Sequence, residues 1–441
     1  MPWTLIQRLI LRASYMLRIF SLCCALLWLC ACASVPPPVS ENEPDPTAIS
    51  YPNPDVENPG VIIIAQPVET PAPAPAIPAP PAPTPEPPEI EVYEYHKWYT
   101  ALPGWSDTDH RGALTSFKRS CESFAKADPN AELNPKLPEY GRYKDWAPAC
   151  AQAGFIGLDR FSAQQFFETQ FEPLVLATRE GETGLLTGYY EPEVDVRKIP
   201  DAVYSEPILA KPISESIQTL PRAQLGPTSS RVIAYGKPIE VFFMQIQGSG
   251  RIRFADGTSI RAAYAGHNSK SYQSIGKVLV ERGELSLDQA SKQSISDWMD
   301  RAGPAKARAL MNENPRYIFF AEQAIGRSAD GVVEGPRGAM RVPLTNLSSI
   351  AVDPRYHPYG TLVWLETTLP QYGGDFRGQP AGLLVSVQDT GSAIKGPLRG
   401  DLFFGAGDAA GDKAGVMKHD VRWTILVPHA IAPPHIPAPL S

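Results

Sequence analysis

Between Ser386 and Gly411 the chain reads SVQDTGSAIKGPLRGDLFFGAGDAAG, with Asp389, Asp401 and Asp408 set among glycines. No histidine or cysteine is there to complete a metal shell, and no Lys-Ser/Thr pair to cradle phosphate. What remains is carboxyl chemistry. Asp389 follows the apolar run Leu383–Val387, and Asp401 opens the short run Leu402-Phe403-Phe404. Acids beside apolar strands and close to one another ionise reluctantly, because desolvation and like charge both oppose it. A carboxylic acid kept protonated near neutrality is what a general acid needs to cleave a glycosidic bond. Asp next to Gly is also the ordinary signature of a turn or a helix cap, so both readings stand at this point.

The elements that must position these acids begin late in the chain. Arg8, Arg12 and Arg18 precede an apolar run from Ile19 to Ala31, shorter than the span of about 20 residues that a bilayer helix needs. A basic flank before a short apolar core reads as a secretory signal peptide over 1–31. It ends in Leu29-Cys30-Ala31-Cys32, which resembles a bacterial lipobox; an ordinary cut after Ala33 or Ser34 is the alternative. The lipobox reading makes Cys32 the lipidated first residue. Ala33 stands where an inner-membrane retention aspartate would be, which points to the periplasmic side of the outer membrane of a Gram-negative bacterium. Residues 32–92 are dominated by proline, alanine and acids and read as an extended tether, because proline fixes φ and removes donors. No basic tract suggests nucleic acid, and the net charge is -7. Of six cysteines, Cys121 and Cys150 alone are left after the leader and the lipid site, either bridged in an oxidising compartment or buried as thiols. No CxxC or His-rich cluster calls for a metal, and no cofactor is expected.

The globular part starts helical. Leu114, Phe117, Cys121 and Phe124 have helical spacing, and Ser162-Ala-Gln-Gln165 looks like a capping box. From Leu174 short apolar or alternating runs read as strands with tight turns: LLTGYYEPEVDV, YSEPILAKP, KPIEVFFMQIQGSGRIRF and TSIRAAYAG. Two helical pieces broken near Gly283 follow, then a strand at Tyr317–Phe320 and four more after Arg341. A β-rich barrel core with helices at its margins is the expected architecture. On the strand reading of FFMQIQ, Gln245 and Gln247 face one side.

Several of these stretches occur together in one family. SSIAVDPRYHPYGTLVWLE followed by QDTGSAIKGPLRGDLFFGAGDAAG resembles the three-aspartate domain of bacterial murein-cleaving enzymes. TGYYEPEV, FFMQIQGSGRI and AYAGHN resemble the other signatures of membrane-bound lytic transglycosylase A, in the same order from about Phe161 to Pro428. The resemblance implies a mainly β fold: a double-psi β-barrel with a smaller β-rich domain inserted into it, plus N-terminal helices. The implied organisation is helices and first barrel part at 93–192, insert at 193–325, the rest of the barrel at 326–430 and a Pro-rich tail at 431–441. It implies non-hydrolytic cleavage of the β-1,4 MurNAc-GlcNAc bond to 1,6-anhydro ends, with Asp401 as the catalytic acid and Asp389 supporting it. Tyr189, Tyr190, Glu191, Gln245, Gln247, Ser249, Gly250, Asn268, Lys395 and Asp408 are the candidate glycan contacts, since amides, hydroxyls and tyrosine rings suit sugars; each tyrosine reads equally as a half-buried barrel residue. Peptidoglycan strands and the outer membrane are the expected partners, cell-wall synthesis or remodelling proteins are further candidates, and a monomer is expected. The competing readings are a two-carboxylate hydrolase, with Asp389 as the second acid, and a glycan-binding lipoprotein without turnover.

Overall fold

The computed structural model describes residues 98–176, 183–287, 289–328 and 331–432. The signal segment, Cys32, the tether and most of the C-terminal tail lie outside them. No described helix is long and apolar enough to cross a membrane.

Three helices open the described chain: Arg111–Phe124, Tyr143–Phe155 and Arg160–Gln170. The first buries Leu114, Phe117 and Phe124, the helical stripe read from the sequence, against Trp146, Phe167 and Phe171. Each such side chain removed from water stabilises the packing by roughly 1.5–3 kcal/mol. Cys121 and Cys150 are disulfide-bonded, with Cα atoms 5.4 Å apart, and tie the first helix to the second. The third helix is capped by Asp159, whose side chain accepts from the Ser162 backbone N–H. The expected capping box at Ser162 is therefore displaced by one turn: the acid three residues upstream is the cap.

Thirteen strands follow among the described residues. They are β1 (Phe171–Leu176), β2 (Gly184–Glu191), β3 (Glu193–Arg197), β4 (Glu206–Leu209), β5 (Val232–Gly236), β6 (Gly250–Phe254), β7 (Ser259–His267) and β8 (Ile318–Gln323). After them come β9 (Ser349–Val352), β10 (Leu362–Leu369), β11 (Gln379–Asp389), β12 (Arg399–Ala406) and β13 (Lys418–Pro428). Seven form one sheet in the order β1-β13-β10-β11-β9-β12-β2, and β13 also pairs with β2. That second pairing closes the sheet into a barrel. The β11–β9 and β12–β2 pairs are parallel and the others antiparallel. Alternation sends Leu186, Ile350, Val352, Val385, Leu402 and Phe404 into the barrel interior. Their neighbours Thr187, Ala351 and Asp401 are left for the opposite face. This is a mainly β chain built on a double-psi barrel.

The other six strands form a second sheet, β4-β5-β3-β6-β7-β8, drawn entirely from the chain between β2 and β9. One expectation fails here. FFMQIQ is not a strand but part of the helix Pro238–Gln247, with Pro238 in the first turn and Gly248 ending it at φ +88°. Val241, Phe242, Phe243, Met244 and Gln245 are all buried, so the helix is apolar nearly all round. A buried helix and a buried strand look alike to periodicity, and the proline–glycine brackets ten residues apart were the signal for a helix. Only Gly250–Phe254 of that stretch is extended. The later helices Ile275–Glu281 and Lys292–Ala302 are separated at Gly283 as expected, and a third, Pro304–Glu313, follows them.

Candidate active site

Asp401 lies on β12, the strand between β9 and β2. Its register partners are Ala351 on one side and Thr187 on the other. Residues directly opposite in a ladder project to the same face, so Asp401, Ala351 and Thr187 share one face of the barrel, away from Leu402 and its apolar neighbours. Ala351 is also the partner of Asp389, across the parallel β11–β9 pair. The two acids thus flank one alanine, their Cα atoms two strand spacings or roughly 10 Å apart. The register shifts between Val387 and Asp389. The extra residue, Gln388, is buried and holds the first helix: its Nε2 donates to Ser116 O and Ser120 Oγ at 2.7 and 2.9 Å. This local irregularity lets Asp389 turn to the site while its neighbour serves the core.

The two carboxyls are held differently. Asp389 accepts at Oδ1 from the backbone N–H groups of Ala339 and Thr390, both at 2.9 Å, and at Oδ2 from the Tyr189 hydroxyl at 3.0 Å. Burial pushes its pKa up, and these three donors pull against it. Asp401 accepts one hydrogen bond, from Thr187 Oγ1 to Oδ1 at 2.7 Å. Its Oδ2 takes none from the described residues. Desolvation, helped by the charge of Asp389, pushes Asp401 up to about 6, against Thr187 and Arg399. Asp401 is thus the group poised to carry a proton near neutrality and to give it up, whereas Asp389 is tied at both oxygens.

Tyr189 stands between them. Its ring packs on Phe403 at 5.3 Å between centroids. Burial and both carboxylates raise its pKa well above that of a free phenol, so it remains a hydrogen-bond donor. Sequence reasoning missed Thr187 and Arg399. Arg399 Nη2 donates to Thr187 Oγ1 at 2.9 Å, and burial draws its pKa down. Both were visible as period-2 neighbours: Thr187 lies two before Tyr189, and Arg399 two before Asp401.

The other candidate contacts are dispersed. Glu191 is fully buried, with Arg251 Nε at 2.9 Å and Arg261 on its two oxygens. Arg261 also donates to Glu334 O at 2.6 Å, so Glu191 sits in an ion cluster at the end of β2, beside the second sheet. Tyr190 is buried under the short helix Asp408–Ala414, and its hydroxyl accepts from Lys292 Nζ at 2.6 Å. Gln247 Oε1 accepts from the Tyr190 backbone N–H at 3.0 Å. Gln245, buried, accepts from Arg222. On a helix these glutamines, two apart, no longer share a face. Asn268, fully buried, donates to Leu220 O and Pro315 O and accepts from the Tyr317 N–H at 2.9 Å. Ser249 and Gly250 lie at the turn into β6, while Lys395 and Asp408 are exposed. The structure therefore gathers Asp401, Asp389 and Tyr189 in one place and commits Glu191, Tyr190, Gln245 and Asn268 to internal bonds.

Comparison with known proteins agrees with this architecture. The MltA specific insert domain matches residues 185–321, and the 3D domain matches residues 348–427. The chain is 35% identical over 240 residues to the membrane-bound lytic murein transglycosylase A of Vibrio cholerae, a match covering 53% of this chain and 63% of that protein. The aligned part is thus just under two thirds of that relative's length. Among solved structures, the lytic transglycosylase LtgG of Burkholderia pseudomallei is 38% identical, with a TM-score of 0.53 over 77% of this chain and 97% of that one. Escherichia coli MltA with bound chitohexaose is 27% identical, with a TM-score of 0.56 over 74% and 91% of the two chains. With both domain families matched in order and nearly all of the Burkholderia chain covered, this chain belongs to the membrane-bound lytic murein transglycosylase A family.

Proposed function

We propose that the protein cleaves the β-1,4 bond between N-acetylmuramic acid and N-acetylglucosamine in peptidoglycan without consuming water. Asp401, protonated, donates to the leaving O4 of the glucosamine as an oxocarbenium-like centre develops on muramic C1. The same carboxylate, now basic, takes the proton of the C6 hydroxyl, whose oxygen closes onto C1. A 1,6-anhydro end results. Acid-then-base use of one group is chemically consistent and needs no second free carboxylate.

The observation that carries this reading is the unequal treatment of the two acids. Asp401 has an unbonded Oδ2 and a pKa pushed up to about 6, while Asp389 accepts on both oxygens, from Ala339 and Thr390 at Oδ1 and from Tyr189 at Oδ2. A hydrolase needs a second carboxylate free to attack or to activate water, and Asp389 has no idle oxygen for it. In this reading Asp389 supports Asp401 by its charge. Tyr189, Ser249, Gly250, Lys395 and Asp408 remain the candidate glycan contacts. The chitohexaose held by the related Escherichia coli structure supports a glycan ligand. Cys32 anchors the chain to the outer membrane, in keeping with the membrane-bound name of the relatives, and the insert begins near residue 193.

The test is digestion of purified sacculi by wild type and Asp401→Asn, with products weighed by mass spectrometry. Anhydro-ended muropeptides from wild type alone are expected. Products heavier by one water would replace this mechanism with hydrolysis, and binding without release would leave only a glycan-binding protein.

A further inference from the structure

The AYAGHN stretch ends β7, and its polar side chains other than Asn268 are not used by the site above. Tyr264 pairs with Phe320 and His267 with Ile318, with the register shifting between Tyr264 and Gly266. Gly266 has φ +139°, a conformation that a side chain rarely adopts. Lys211 lies over it: Lys211 Cδ and Nζ are 3.4 and 3.5 Å from where a Cβ on Gly266 would stand. Arg316 is held by donation from Nη1 to Lys270 O at 3.0 Å. It acts electrostatically on both Tyr264 and His267, and Lys211 acts on His267 as well. His267 Nδ1 accepts from the Ser269 N–H at 2.8 Å. Tyr264 is 51% exposed.

No carboxylate among the described residues pairs with Lys211, Arg316 or His267, and the two groups acting on His267 are both cationic. Two cations, an imidazole and an open aromatic ring are thus gathered at one strand end of a chain whose net charge is -7. Uncompensated like charges repel and weaken a fold unless an anion joins them. A ring beside cations suits a sugar that carries a carboxylate, since the pyranose stacks and the cations make charge-assisted hydrogen bonds.

We propose that Lys211, Tyr264, His267 and Arg316 form a carboxylate-receiving platform on the second sheet that binds the anionic substituents of the murein glycan. The proposal rests on the peptidoglycan reading above. Two sources share the chemistry: the lactyl carboxylate of a bare muramic residue, and the carboxylates of its peptide stem.

The experiment uses the full chain carrying Asp401→Asn, so that bound glycan is not consumed. Affinity is measured by calorimetry for three probes: a murein tetrasaccharide with peptide stems, the same sugar without them, and neutral chitohexaose. Lys211→Glu is the variant to add, because Lys211 is exposed and donates no hydrogen bond among the described residues; Arg316→Gln is the second. Charge reversal is expected to weaken the peptide-bearing glycan by roughly tenfold and to leave chitohexaose unchanged. An equal loss for the peptide-free sugar assigns the lactyl group as the anion, and a loss confined to the peptide-bearing sugar assigns the stem. If all three probes bind and neither variant alters any affinity, the platform is overturned and the murein reading stands. If no probe binds at all, the murein reading falls and takes the platform with it.

Discussion

Arg399 reaches Asp401 through Thr187. Its Nη2 donates to Thr187 Oγ1 at 2.9 Å, and that hydroxyl donates onward to Asp401 Oδ1 at 2.7 Å. The threonine is 214 positions from the acid, and the parallel β12–β2 register sets them opposite one another. One oxygen of the acid is thereby fixed in direction while the other is left for chemistry.

Thr187→Val removes this donor at nearly constant volume. The hydrogen bond favours the ionised acid, so its loss raises the pKa of Asp401 further. The alkaline limb of the kcat/KM profile for murein should move to higher pH. A profile that keeps its midpoint while only the rate falls would show that Thr187 does not tune the acid.

In the proposed mechanism Asp401 acts in its protonated form, and burial pushes its pKa up to about 6. Activity should therefore fall as pH rises through that value, approaching about tenfold per pH unit beyond it. Stability follows the same sign. The folded pKa lies above the ordinary 3.8, so ionisation opposes the fold progressively from about pH 4 to 6 and fully above. Asp401→Asn should lower turnover by about 10³-fold or more while stabilising the fold at pH 7 by about 1–3 kcal/mol. Urea melts at pH 7 and below pH 4 check this: the gain should vanish at the lower pH.

Glu191 is the charge between Arg251 and Arg261. Glu191→Gln leaves the buried Arg261 without its carboxylate, while Arg251 keeps Glu193 at 3.0 Å; breaking a buried pair in this way typically costs about 3–5 kcal/mol. Thermal unfolding should drop well below wild type. Unchanged stability with weakened glycan binding would return Glu191 to the candidate glycan contacts.

Cys121 and Cys150 are separated by 29 positions. Replacing both by serine should lower stability by about 3–4 kcal/mol in the chain-entropy account. The first of the two helices they join carries Ser116 and Ser120 against Gln388, so the same variant should also show faster hydrogen exchange around β11. Denaturant midpoints under oxidising conditions supply the first measurement.

Much of the frame was legible in local pattern. The stripe Leu114–Phe117–Phe124 is a helix face, the alternating runs after Leu174 are strands, and Asp389 and Asp401 lie on strands where the apolar runs placed them. Reading failed where two structures share one pattern: the helix Pro238–Gln247 is buried on nearly all sides, so its apolar run mimicked a strand and misassigned the faces of Gln245 and Gln247.

The sequence by itself determined the kinds of groups available and the strand faces they can occupy, because alternation and helical spacing are local properties of neighbouring residues. Tertiary structure alone decided which groups meet. The closure of β13 onto β2 and the register that sets Asp389 and Asp401 either side of Ala351 unite segments far apart in the chain. Glu191 was claimed by arginines 60 and 70 positions away, and Asn268 by backbone groups 47 to 49 positions away. A polar side chain in a groove and one in a buried network look the same in sequence, since burial and partner geometry exist only once distant strands have packed.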